Sequence, residues 1–432
     1  MTDAGLNDVQ HANTRILRHY VIGKSAAMSE NDTETIEINK SKAPLVFLSI
    51  VAVGIATFIF GLTSQHPERA WQAYLINFLL WSAIAQGAVL FSAVMHMTNA
   101  RWSGPLSSLS ESFTAFFPIS YILFLILFLG RAHIFPWLHE DLHGKEVWLN
   151  IPFLFTRDCI GLLILYIIGF GYCFNALQLK LDPKRPGGRL RRSIFEAWQR
   201  KPRNPEEIKR RMTIWGGFYI LAFAVVLCLI GFDLVMSMDP HWISTLFGAY
   251  HFVKAFFIGL GALIILAALI RIRHGEACQI KSSHFHDVGK LFFGFCLLWA
   301  DFFYVQLMVI YYGNIPEETH YVIVRTMLAP WNKLAWTVFI VCFVGPFFIL
   351  LNQRIKTRPM FMLILCSIVI IGMWLEHLLL LGPALSHETQ SIPLSLSDGL
   401  ISLGFFGLMA VAIGYFMKVF PEALPAGKSN RS

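Results

Sequence analysis

The chain of 432 residues is 56% hydrophobic, 14% aromatic and 14% charged, with a mean hydropathy of +0.57. Soluble proteins carry about 25% charged residues, so this composition excludes a soluble globular fold and indicates an all-α polytopic membrane protein. The net charge of +8 therefore bears on topology first, and nothing in its pattern asks for nucleic acid.

Residues 1–42 are polar and mixed in charge. They read as a cytoplasmic tail, partly disordered or used as a docking arm, and not as a signal peptide. Ten apolar spans follow, near 43–63, 71–98, 113–135, 154–180, 212–238, 244–271, 288–312, 331–352, 359–382 and 397–420. Each is long enough to cross a hydrocarbon core of about 30 Å as a helix. With the amino terminus inside, the inner segments hold 28 of the 35 basic residues, twelve of them between Lys180 and Arg211. The outer ends and loops hold six: Arg69, Arg131, Lys145, Arg157, Arg325 and Lys333. The positive-inside rule then places both termini, including a tail at 421–432, in the cytoplasm. The basic loop 180–211 reads either as a plain topology signal or as a site for anionic lipid headgroups or a cytoplasmic partner.

Seven cysteines are present, none spaced CxxC and six of them in apolar stretches. They read as small core residues, so no iron–sulfur or zinc framework is expected.

The membrane spans also carry charge. Near the outer surface lie Arg131 and His133, Arg157 and Asp158, then Asp233, His251 and the Glu376–His377 pair. Near the inner surface lie His96, Arg101 and Glu111, with His286, Asp287 and Lys290. Arg131 and Arg157 have a plain alternative as snorkelling side chains, and His96 and Glu111 as helix caps. Asp233 and Glu376 sit deeper and are harder to treat as isolated structural residues. Lys254 in span six and Asp301 in span seven fall at nearly equal depth, about 15 Å below the outer surface at helical rise. A Lys and an Asp at matched depth are expected to pair, as a static ion pair or as a proton-relay element.

Five stretches carry a resemblance: HDVGKLFFGFCLLWADFFYVQLMVIYYGNIPEET from His286, FDLVMSMDPHWISTLFGAYHF from Phe232, GRAHIFPW from Gly130, TRDCIGLL from Thr156 and WLEHLLLLGPAL from Trp374. Together they resemble the membrane subunits of alternative complex III, of ActF type, within the NrfD/polysulfide reductase superfamily. The resemblance implies a ten-helix domain over 43–420. It has two four-helix bundles, spans two to five (about 71–238) and spans six to nine (about 244–382), with peripheral first and last helices. It also implies a subunit of a quinol:cytochrome c oxidoreductase in a bacterial inner membrane, with menaquinone or ubiquinone as its cofactor and no haem, metal or iron–sulfur cluster of its own. The implied partners are a sister NrfD-like subunit, an iron–sulfur/molybdopterin-like subunit, haem c subunits, a terminal oxidase and membrane lipids.

By the same resemblance, His133 and Asp158 stand where related subunits hold quinol, flanked by Arg131 and Arg157. Quinol oxidation releases two protons, which a His/carboxylate pair near the aqueous face can accept. Asp233, His251 and Glu376, with His377 beside it, would extend a polar path; from depth alone, Lys254 and Asp301 would form the middle of a proton path and Glu111, His286 and Asp287 its inner mouth. A structural or proton-channel subunit without quinone is the alternative. A secondary transporter is disfavoured because no paired Gly/Pro-broken helices occur in two corresponding halves. A haem-b cytochrome is disfavoured because His96 and His251 lie near opposite faces.

Overall fold

A computed structural model describes residues 43–142, 144–181, 188–200, 204–385 and 392–425. The two tails, at 1–42 and 426–432, and parts of the basic loop (182–187 and 201–203) lie outside the described residues, as does what was expected of them. The chain divides into units at Val46, and the helix bundle belongs to the unit beginning at Phe47. The described secondary structure is helical, without strands, and ten helices are long and apolar enough to cross a membrane. This is an all-α polytopic membrane protein.

The ten are α1 (Pro44–Leu62), α2 (Pro67–Met97), α3 (Arg101–Ile134), α4 (Ile151–Gln178), α5 (Pro205–Met238), α6 (Phe247–Ala277), α7 (Ser282–Gly313), α8 (Trp331–Leu351), α9 (Pro359–Leu385) and α10 (Leu396–Val419). Two are central. The apolar stretches of α2 and α6 are 89% and 78% buried, which explains why neither shows a polar stripe. They approach so closely that a Cβ on Gly87 would lie 2.1 Å from the Ala255 carbonyl oxygen, and one on Gly259 would strike the Gly87 backbone. Without side chains there, the two backbones meet directly. Against α2 pack α3 and α5, with α4 lying on α5 and α3; against α6 pack α7 and α9, with α8 lying on those two; and α10 lies against α2 and α3.

Two helices are irregular, for identifiable reasons. In α3 the expected start near 113 moves back to Arg101, because 3₁₀ and α segments alternate around Pro105 and Pro118. Glu111, expected at an inner mouth, thereby enters the helix and is 1% exposed. In α8 a π turn at Ile340–Val344 precedes Gly345 and Pro346. Shorter helices lie outside the ten, the longest being Arg189–Gln199 and Pro316–Thr326. The end of the bundle carrying Lys180 to Arg211 is termed the basic end, and the opposite one the distal end.

Candidate functional site

The charged residues singled out in the spans gather at three places. At the distal end, Asn150 caps α4 by accepting from the Phe153 amide at 2.9 Å, and Pro152 opens the first turn. This entry fixes the rotation of α4, so that Arg157 meets Asp233 on the last turns of α5. The pair is bidentate: Nε donates to Oδ2 and Nη2 to Oδ1, each at 2.6 Å. Trp148 completes the contact, its indole N–H donating to Asp233 Oδ1 at 3.1 Å and its carbonyl accepting from Arg157 at 2.9 Å. The guanidinium also lies over the rings of Trp148 (4.0 Å) and Phe153 (4.6 Å).

Asp158, the next residue, turns inward and is completely buried beside Asp233, with which it interacts directly. Apart from the Asp233 carboxyl, no side chain or backbone group reaches either of its carboxyl oxygens. One turn before it, Phe155 anchors a ring cluster with Phe124, Phe128 and Phe135, at centroid separations of 5.5, 5.1 and 6.0 Å. The expected companions of Asp158 stand elsewhere. His133 is exposed, and Arg131 is also exposed, lying over Phe128 and donating to its carbonyl at 3.1 Å. The structure therefore gathers Arg157, Asp158 and Asp233, and leaves His133 and Arg131 at the rim.

In the core around α6, Lys254 is 1% exposed and bonds both oxygens of Glu376, at 3.0 and 3.2 Å. Tyr250, one turn earlier on the same face of α6, donates its hydroxyl to Glu376 Oε1. His377 binds the Met373 carbonyl through Nδ1 at 2.8 Å, which leaves Nε2 unpartnered. His251 is buried with Nδ1 unpartnered and packs on α5, where Gly231 makes room for its ring. The partner expected for Lys254 was Asp301; the structure corrects this to Glu376. Asp301 lies on the exposed side of α7, rotated away from α6 although at suitable depth.

Above this cluster, Trp242 and Tyr321 stack at 3.7 Å, and Arg325 covers Tyr321 at 3.5 Å. Burial pushes the Tyr321 phenol up to about 12, so it stays a neutral hydroxyl. These residues and Tyr250 line a cleft of about 50 Å³. That is room for a few water molecules, and too little for a quinone ring.

At the basic end, Glu111 accepts from Lys180 at 2.6 and 2.8 Å and from Ser92 at 2.9 Å, with Tyr172 3.0 Å from Ser92. His96 bonds Thr213 at 3.2 Å. His286 is half-buried with Nδ1 unpartnered, and Asp287 pairs with Lys290 at 3.5 Å. Glu111 is thus closed by a lysine, whereas His286 and Asp287 lie on α7, with no contact between the two groups.

Sequence reasoning missed a fourth group. Between the basic and distal clusters, Ser82, Ser120 and Tyr166 form a chain with contacts of 2.6 and 2.7 Å. Gln86 donates to Tyr166 at 2.8 Å, and Tyr219 donates to the Gln86 carbonyl at 2.9 Å. All are neutral, so no charge marked them in the spans. Among the described residues, no three His, Cys, Asp or Glu side chains converge in a way that could hold a metal ion. Compared with known proteins, the chain matches no family model and no curated protein.

Proposed function

We propose that the chain is an integral membrane subunit of a quinol:electron-acceptor oxidoreductase of the alternative complex III type, and that Asp158 accepts a proton from quinol at the distal end of α2–α5. One observation carries this reading. Four carboxyl groups are buried in the spans, and Asp233, Glu111 and Glu376 each lie on a cation. Asp158 alone among them lies on no cation, and apart from the Asp233 carboxyl nothing reaches its oxygens. A fully buried carboxyl that no cation or N–H donor reaches is where a donor from outside the chain fits.

The surroundings fit a quinol head. Its hydroxyls are donors that match the free Asp158 oxygens, and its flat ring matches the Phe124–Phe128–Phe135–Phe155 cluster. Bound quinol supplies two electrons and two protons. Arg157 holds Asp233 in place, so the Asp158 carboxyl that takes the proton stands beside a fixed ion pair. His133, exposed at the rim, would pass protons onward to water.

In this reading the distal end faces outward, the protein resides in a bacterial inner membrane, and electrons leave to partner subunits with iron–sulfur and haem c centres. The quinone is menaquinone or ubiquinone. Asp158→Asn, which keeps shape but cannot take a proton, is expected to lower quinol oxidation by the purified complex about 10²–10⁴-fold, the usual share of a general base. Asp158→Glu is expected to retain part of it. Unchanged turnover in Asp158→Asn, with quinone still bound, overturns the assignment.

A second reading, a proton-conducting subunit without quinone, is favoured by the Tyr250–Glu376–Lys254 cluster beneath its water-sized cleft. It predicts the reverse pattern: quinol turnover indifferent to Asp158, and proton uptake sensitive to Tyr250→Phe.

A further inference from the structure

Helices α1 and α7 are the least enclosed of the ten, with 11% and 17% of their most apolar stretches buried. A helix that exposes such a face to hydrocarbon should carry no charge along it. Across Pro44–Leu62, α1 has none. On α7, Asp301 breaks the rule: it is exposed, and no described residue hydrogen-bonds or ion-pairs with it. Twelve residues separate it from Gly313 and nineteen from Ser282, about 18 and 28 Å at helical rise. A side chain as short as Asp cannot snorkel over either distance. Its neighbours one turn away on the same face, Leu297, Leu298, Tyr304 and Val305, are all exposed.

The surface beside Asp301 is shaped as well as apolar. A groove of about 750 Å³ runs between α7 and α8, with Asp301, Ala300 and Gly294 on one side and Phe339 and Phe343 on the other. Gly294 stands two turns from Asp301, and a Cβ built there would meet nothing within 4 Å. An open groove with a small residue on its wall admits another backbone closely.

We infer that the α7–α8 groove seats a transmembrane helix of a partner protein, which presents a Lys or Arg side chain at the depth of Asp301. Hydrocarbon tails carry no donor, and phospholipid headgroups lie a dozen residues of helix away. A second copy of this chain does not fit either. Lys254, the base at comparable depth, is buried and bound to Glu376, and a two-fold contact through this groove would set two Asp301 carboxylates against each other. A basic side chain from a different protein supplies the missing charge. The inference rests on the membrane placement of α7 and is independent of the quinol reading.

A photo-crosslinking residue placed at Val305 of the full-length chain, irradiated in native membranes, tests it. The expected product is an adduct with one membrane polypeptide whose transmembrane segment contains Lys or Arg, reduced at least about tenfold by Asp301→Leu and retained in Asp301→Glu. Purified alone, the Asp301→Leu chain is expected to unfold at the same or a higher temperature, since the substitution removes a carboxylate from lipid. Should that variant fold poorly, Asp301→Lys takes its place: the adduct is expected to disappear and to return when the partner's basic residue is changed to Glu. An adduct unaffected by Asp301→Leu, adducts with lipid alone, or self-adducts would each overturn the proposal. Quinol oxidation is not read in this experiment, so its outcome stands apart from that of the Asp158 test.

Discussion

The distal cluster on α4 and α5 and the core cluster on α6 and α9 solve one problem in different surroundings. Each is an ion pair in a membrane helix bundle with an unpartnered protonatable group attached. At the distal end the cation is Arg157, in a planar bidentate contact, 10% exposed and stacked on Trp148. In the core the cation is Lys254, 1% exposed, held by a carboxylate that also takes the Tyr250 hydroxyl. Arginine keeps its charge in essentially any setting, whereas a buried lysine can give up its proton. The difference teaches that the distal pair is suited to fixing a carboxylate next to Asp158, and the core pair to exchanging a proton within itself.

Removing one partner should expose that contrast most sharply in the core. Glu376→Gln leaves Lys254 buried without a counter-charge, and is expected to destabilise the protein by about 3–5 kcal/mol. Thermal unfolding in mild detergent would measure it. The double variant Glu376→Leu with Lys254→Met removes both charges and should recover most of the loss. If the single variant were as stable as the parent, the pair would not be the enclosed unit that its burial describes.

The spans were legible because a run of some twenty apolar residues has few alternatives, and the charges were legible because so few occur inside them. Which charges meet was not. Depth can be counted from the sequence, but each residue also turns its side chain about 100° around the helix axis. Asp301 and Glu376 both lie at depths open to Lys254; only the rotation of α7 and α9 decides between them. Tyr250 and Lys254, spaced four apart, did hold a signal, since they share the face of α6 that meets α9. The rotation of α3, set by its 3₁₀ segments, likewise carried Glu111 from a mouth into a buried contact with Lys180. The Ser82–Ser120–Tyr166–Gln86 chain left no signal, as isolated hydroxyls and amides are common in membrane helices that make no network.

A smaller loss is expected at the distal pair. In Asp233→Asn, Arg157 keeps the Trp148 carbonyl and both aromatic faces, so about 1–3 kcal/mol should be lost, less than in the core. The new amide can donate to Asp158 and occupy the acceptor that the proposed function assigns to quinol. The Michaelis constant for quinol is therefore expected to rise more than stability falls. A stability loss equal to that of Glu376→Gln would show the two pairs to be equivalent and remove the contrast.

The least effect belongs to His133. It is exposed and makes no contact with Asp158, so His133→Ala should leave the unfolding temperature unchanged. Its consequence for turnover depends on where the proton goes after Asp158. With His133 only at the rim, water can replace it, so the fall should be much smaller than in Asp158→Asn and should be reversed by added imidazole. A loss in His133→Ala as large as in Asp158→Asn would mean that the histidine reaches the buried carboxyl during turnover. The rim of α3 would then have to move inward past Phe135.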